Sequence, residues 1–317
     1  MRPFNQFTHP SFRLIDCPIC GGEKFKEVIT FTPDEFLSRR RKKYYDLSVL
    51  GIDFDTPFFI VKCLDCELAF VNPRFRADLY PKVYNEAKIG KYTIDDDGDG
   101  LISFSPHRYT TTAAEHARWV LALVDMLPRD DWDQDRSVRL LDFGSGFGYC
   151  IETATALGIE AVGVDLDDAR ITLSRAKGLN VLTPPEYDDS SFDEPFDIII
   201  SQAVIEHVDN LHDYLESLTR WARKGSIFFL SGITPRRIKM ERKRGWWSKV
   251  MPIEHINYTN HKTLDRLMGQ HGLKRIKNVV DVRPINGPRD TLAWPLKRYF
   301  PPGFGRGGFT AFYRYTS

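Results

Sequence analysis

The chain has 317 residues, 42% of them hydrophobic and 27% charged, which leaves room for one large globular domain and one or two small ones. Its 44 Lys and Arg against 43 Asp and Glu give a net charge of +1, so no global electrostatic case exists for a nucleic-acid partner. No apolar run approaches bilayer-spanning length, and Met1-Arg2-Pro3-Phe4-Asn5-Gln6 has no apolar core of signal-peptide type; the expectation is a cytoplasmic protein.

In chain order, the first feature is cysteine spacing. Of five cysteines, four form two Cys-x-x-Cys pairs, Cys17/Cys20 and Cys63/Cys66, while Cys150 stands alone as a small packed residue. Two such knuckles can place four thiolates tetrahedrally about zinc, and an all-cysteine set points to a closed, structural site. Cys17-Pro18-Ile19-Cys20-Gly21-Gly22 and Cys63-Leu64-Asp65-Cys66 have zinc-ribbon contexts, although the gap between the pairs is longer than usual. Between them, Pro33 to Tyr45 reads as a helix carrying Arg39, Arg40, Arg41, Lys42 and Lys43, first of all a solvated face. Phe58–Cys63 and Leu68–Pro73 read as a hairpin around the second knuckle. Residues 1–75 are thus expected to be a zinc-ribbon module.

From Arg76 to Tyr109 the pattern is irregular and tyrosine-rich (Tyr80, Tyr84, Tyr92, Tyr109), with an acidic turn at Asp95–Gly100 that lacks the closing Glu of a calcium loop. His107 to Leu127 is an amphipathic helix, and 128–135 a polar linker.

The centre of the chain is Val138 to Gly148. A short apolar strand ends at Asp142, and Gly144, Gly146 and Gly148 follow at alternate positions before a helix from Cys150 to Leu157. Glycines at such a turn let a ligand approach backbone N–H groups without Cβ atoms in the way. The dinucleotide pattern Gly-x-Gly-x-x-Gly fails, because its third glycine falls on Tyr149. Ile159–Asp165 reads as a second strand ending in a carboxylate, placed as acids that accept from ribose hydroxyls are placed in doubly wound sheets. Asp167 and Asp168 read as the cap of the next helix, which stops at Gly178. Val181–Leu182, Phe196–Ser201 and Lys224–Leu230 are further strands, and Phe309–Tyr315 suits a closing antiparallel one. Alternation of strands and helices over residues 138–230 is the signature of a parallel sheet covered on both faces.

The acid followed by Gly144, Gly146 and Gly148 resembles the first motif of class I S-adenosylmethionine (SAM) dependent methyltransferases. Phe196 to Val208, with Glu206-His207, is similar to the fourth-strand motif of the ubiquinone-pathway and related small-molecule branch. Glu254-His255-Ile256-Asn257-Tyr258-Thr259 and the helix after it are similar to the same branch. A two-knuckle ribbon ahead of this domain resembles sugar C-methyltransferases acting on nucleotide-linked deoxysugars. The resemblance implies an α/β, Rossmann-like, seven-stranded class I methyltransferase sheet over residues 136–317, behind a small zinc-ribbon module and a lid and helical linker at 76–135. It implies SAM contacts at Asp142, Gly144, Ser145, Gly146, Gly148, Asp165, Leu166, Ser201 and Gln202, and catalytic roles for His207, Glu206 and His255. The same Glu-His also serves many methyltransferases as a helix-start element. SAM and a structural zinc on Cys17, Cys20, Cys63 and Cys66 are the implied cofactors.

Arg236, Arg237, Lys239, Arg242, Lys243 and Arg244 crowd the span beyond the fifth strand, ahead of Gly245-Trp246-Trp247. That span fits contact with a phosphate-bearing small molecule, a peripheral membrane contact, or a plain solvated loop. The resulting expectation is methyl transfer to a small polar metabolite, foremost a nucleotide- or lipid-linked sugar. An RNA-base methyltransferase and a non-catalytic SAM-binding scaffold are the rivals. Near-neutral charge and the missing Asn/Asp-Pro-Pro-Tyr motif of base N-methylation weigh against the first.

Overall fold

A computed structural model of the chain describes residues 3–37, 42, 45–87, 106–128, 136–244, 250–276 and 308–317. The acidic turn at 95–100, Tyr92, four residues of the first basic run (Arg39, Arg40, Arg41, Lys43) and Gly245-Trp246-Trp247 lie outside them.

Thirteen strands are described: β1 Phe12–Arg13, β2 Phe25–Phe31, β3 Phe58–Cys63, β4 Ala69–Val71, β5 Arg74–Phe75, β6 Arg139–Phe143, β7 Glu160–Val164, β8 Val181–Leu182, β9 Phe196–Gln202, β10 Ala222–Ile233, β11 Asn257–Tyr258, β12 Leu273–Arg275 and β13 Gly308–Tyr315. The described helices are α1 Pro33–Phe36, α2 Tyr80–Asn85, α3 Pro106–Asp125, α4 Tyr149–Ala156, α5 Asp168–Ala176, α6 Pro184–Asp188, α7 Leu211–Thr219, α8 Pro235–Arg244 and α9 His261–Gln270.

The large sheet has seven strands in the order β12-β13-β10-β9-β6-β7-β8. Strands β10, β9, β6, β7 and β8 run parallel, whereas β13 is antiparallel to both β10 and β12. This is the expected α/β architecture. Alternation along each strand divides the core. On one face Ile198, Phe229 and Phe312 pack with Trp119, Val120 and Leu123 of α3. On the other, Ile199, Phe228 and Leu230 pack with Leu211, Leu215 and Leu218 of α7 and Leu264 and Leu267 of α9. Helix starts follow side-chain chemistry: Asp167 Oδ1 accepts from Arg170 N at 3.2 Å, and Asn210 Oδ1 from His212 N at 3.1 Å.

The cysteine-bearing segment forms a four-stranded sheet, order β11-β4-β3-β2. Its hairpin β3–β4 is as expected, but the sequence reading misses β2 and draws Pro33–Tyr45 as a continuous helix. Among the described residues that helix is interrupted: α1, capped by Thr32 and Glu35, ends before extended Leu37, and Lys42 is helical again. The outermost strand, β11, comes from residues 257–258, far along the chain, and pairs antiparallel with β4. Both faces of this small sheet are covered. Val61, Cys63 and Phe70 join the core of the large sheet, while Phe58, Ile60 and Val71 pack with Tyr80, Val83, Ile238 and Ile253.

Candidate functional site

Two residue clusters stand out. The first is the cysteine set: Cys17 Sγ lies 3.4 Å from Cys66 Sγ, and Cys20 Sγ lies 3.6 Å from Cys63 Sγ. All four sulfurs lie within 4.8 Å of one another. Tetrahedral zinc with bonds of about 2.3 Å needs sulfurs about 3.8 Å apart, so this donor set fits the ion without rearrangement. Two matching tight turns build it. Gly21, at φ 66°, donates its N–H to Cys17 O at 2.9 Å; Glu67, at φ 70°, donates its own to Cys63 O at 3.1 Å. The second turn thus has Glu67 where the first has Gly21. Lys262 and Lys62, at 2.8 and 2.7 Å, hold the Glu67 carboxyl down to about 2. The hydrogen bond between Cys17 and Cys66 pushes the Cys66 thiol down and the Cys17 thiol up.

The second cluster lines a cavity of about 870 Å³ beyond the carboxyl ends of β6, β7, β9 and β10. Here strand order reverses across β6, which is where open α/β sheets bind ligands. Gly144, Asp165, Leu166 and Gln202 line the cavity. Gly144 has φ 88°, and its N–H donates to Val164 O at 2.7 Å. A Cβ at Gly144 would collide with the Val204 side chain, so the close approach of two segments excludes any other residue. The Asp165 carboxylate accepts from Gly146 N–H at 2.7 Å and Asp167 N–H at 2.9 Å, which holds it at the mouth of the glycine turn. Burial raises its pKa above the usual carboxylate range despite those donors.

Five expected contact residues do not line the cavity: Asp142, Ser145, Gly146, Gly148 and Ser201 lie beneath or behind its wall. Asp142 is buried in β6, and burial, then the neighbouring Asp165, pushes its carboxyl up to about 7. Ser201 Oγ donates to Phe143 O at 3.0 Å and accepts from Tyr214 Oη at 2.6 Å, a strut between β9 and β6. Gly148, at φ 75°, is the N-cap of α4.

Glu206, His207 and His255 also line the cavity. One ligand atom of each lies within 4.8 Å of the others, and the two imidazole centroids are 4.6 Å apart at 73°. The 3-10 turn Ile205–His207 after β9 places the first two, and the turn Met251–His255 the third. Ala203, just before that turn, adopts the left-handed φ of 56°, a strained value for a residue with a Cβ. Tyr84 of α2 lies 2.8 Å from His207 Nδ1, and burial holds its phenol protonated far above neutral pH. Glu254 also lines the cavity and accepts a hydrogen bond from Tyr45 Oη.

Sequence reasoning misses this N-terminal contribution: Tyr80 and Tyr84 wall the cavity from α2, and Tyr45 reaches it through Glu254. The tyrosine-rich composition of residues 80–109 is the available signal. The second basic run is helix α8, not a loop. Only Arg237 of it lines the cavity, tied to buried Glu241 at 2.6 Å, while Arg236, Lys239, Arg242 and Lys243 are exposed. Glu186 is likewise held by helix capping, accepting from Thr183 N at 2.6 Å and Arg175 Nη2 at 2.5 Å.

A family model described as a methyltransferase domain matches residues 110–278. The chain belongs to that family. Its methyltransferase domain is 28% identical over 124 residues to a ubiquinone biosynthesis O-methyltransferase of Paramagnetospirillum magneticum, covering 38% of this chain and 47% of that protein. A protein of the same description from Rhizobium etli is 30% identical over 104 residues, covering 30% and 41%. The methyltransferase domain therefore aligns with about half the length, or less, of these curated relatives. Among solved structures, an S-adenosylmethionine-dependent methyltransferase from Clostridium acetobutylicum superposes with a TM-score of 0.44 at 10% identity, covering 65% of this chain and 92% of that one. Among the described residues no helix is long and apolar enough to cross a membrane.

Proposed function

We propose that the chain transfers a methyl group from SAM to a hydroxyl, or an acidic carbon, of a small phosphate-bearing metabolite, foremost a nucleotide- or lipid-linked sugar. One observation carries the reading: a single cavity is lined both by Gly144 and Asp165 and by the Tyr84–His207–His255 cluster. SAM supplies an electrophilic methyl on a sulfonium. The residues present suit its binding: Asp165 has acceptor capacity for ribose hydroxyls, and Gly144 brings backbone to the cavity wall without a side chain.

The Tyr84–His207–His255 cluster suits the acceptor. With Tyr84 Oη accepting from Nδ1–H, the lone pair of His207 sits on Nε2, the tautomer a general base needs. Glu206, 2% exposed, and His255 lie close enough to stabilise the proton that His207 takes. Holding nucleophile, methyl and sulfur in line then supplies much of the rate, and the enclosing tyrosines of α2 serve that alignment. Arg237 and the exposed basic face of α8 support a phosphate on the acceptor. Cys17, Cys20, Cys63 and Cys66 are proposed to hold one structural zinc, which fits their sulfur spacing.

Calorimetry with S-adenosylhomocysteine tests the cofactor reading. The chain should bind it, and Asp165→Ala should weaken binding by roughly 2–3 kcal/mol through loss of charge-assisted acceptors. Unaltered affinity in that variant would remove the placement. Screening nucleoside diphosphate sugars against bulk RNA at two salt concentrations tests the acceptor: salt-steep RNA binding with no sugar-nucleotide signal overturns the sugar reading.

A further inference from the structure

The 205–209 turn, which carries Glu206 and His207, is held from outside by the cysteine-bearing sheet. Asn257 of β11 donates Nδ2–H to Val208 O at 2.6 Å and to Ile205 O at 3.1 Å. The adjacent Ile256 N–H donates to Glu206 O at 2.6 Å. Arg74 of β5 donates Nη1–H to Asp209 O at 3.0 Å, with the Asp209 carboxylate 3.5 Å away. So the carbonyls of residues 205, 206 and 208 take donors from Ile256 and Asn257 at the edge of the four-stranded sheet, and that of 209 takes one from Arg74 of β5, which pairs with β1 in a separate two-stranded sheet.

The two side chains are also joined to each other and to the four-stranded sheet. Arg74 Nη2 donates to Asn257 Oδ1 at 3.2 Å, and its Nε to Val71 O at 3.3 Å. Arg74 is 0% exposed and Asn257 is 1% exposed, and the guanidinium lies 5.6 Å from the Phe70 ring centre. Burying a whole arginine is costly unless every donor is used, and here its donors are spent on carbonyls of the small sheet and the turn. A turn so short has no interior hydrogen-bond ladder of its own to fix it.

We propose that Arg74 and Asn257 are positioning residues for methyl transfer: they lock the 205–209 turn so that His207 keeps its orientation toward Tyr84 and the acceptor. The proposal rests on the functional reading above for the role of His207. It assigns the cysteine-bearing sheet a duty inside the catalytic centre, separate from recognition of an external partner.

The test uses the full chain with Asn257→Ala, Arg74→Lys and a surface control on the same sheet, Lys62→Ala. Hydrogen exchange is followed in peptides covering residues 203–212 and 138–148, alongside 15N chemical shifts of the His207 ring and calorimetry with S-adenosylhomocysteine. Asn257→Ala should speed exchange in 203–212 by about tenfold or more while 138–148 stays protected. The His207 ring should move from one tautomer to an average of two, and cofactor-product affinity should hold. Arg74→Lys, which keeps the charge but cannot reach three acceptors at once, should act in the same direction, and Lys62→Ala should change nothing. Unchanged exchange and His207 shifts in both variants would overturn the proposal. So would a general rise in exchange across 138–148, or failure of both variants to fold, since either assigns the pair to the common core alone. Loss of S-adenosylhomocysteine binding in the unaltered chain would instead count against the cofactor reading and leave the exchange result to stand by itself.

Discussion

Asp142 and Asp165 lie near one another under the glycine turn, yet only Asp165 reaches the cavity. Asp142, pushed up to about 7, keeps its proton in the folded chain over a range where the unfolded chain has lost it. Stability should therefore fall as pH rises from about 4 to about 7 and level off above that. An asparagine at this position would keep the shape without the charge. Asp142→Asn is expected to be more stable than the parent at pH 8 and no more stable at pH 4, a difference on the order of 3 kcal/mol. Urea melts of both proteins at the two pH values measure it; parallel curves would refute the assignment of the burden to Asp142.

At the scale of elements, the glycine turn separates two kinds of glycine. Gly144→Ala would meet both a left-handed φ of 88° and the Val204 side chain. Gly146→Ala, at φ 58°, would meet open space. The first should cost several kcal/mol and abolish S-adenosylhomocysteine binding, and the second about 1–2 kcal/mol of backbone strain alone. Thermal melts and calorimetry on the pair decide it, and equal costs would argue against the close packing of Val204. The strand-turn-helix order of this region is legible because each step has a local signature: apolar runs, then glycines, then Asp165. Strand β2 is not, because most of Phe25–Phe31 is half-exposed and its pairing partner β3 lies 27 residues downstream across the α1 segment. The cavity wall is less legible still. Tyr45, Tyr84, His207, Arg237 and Glu254 come from separated segments that only the folded chain brings together.

Across the whole molecule, the small and large sheets share one apolar core, in which Cys17, Cys63 and Phe70 touch the same cluster as Ile199 and Phe228. Metal removal should therefore not melt an independent module. A chelator that removes the proposed zinc, or Cys17→Ser, should lower the melting temperature of the whole chain in one transition and weaken S-adenosylhomocysteine binding with it. Two separate transitions would show that the shared core carries little coupling. By contrast, the Lys262–Glu67 contact that links α9 to the second knuckle is exposed, and Lys262→Ala should leave the urea midpoint almost unchanged.

The return of residues 257–258 to the edge of β4 also sets an order of events during synthesis. Val71 N–H is matched by Ile256 O at 2.8 Å, and Phe70 and Ala69 face Asn257 and Tyr258 in register. While the ribosome is still making the Rossmann-like region, all four cysteines have already emerged, but the β4 edge stands bare. A nascent chain halted before residue 256 would be able to gather its thiols and still present a sticky, unpaired strand to its neighbours on the polysome. Emergence of residues 256–258 is what closes that edge.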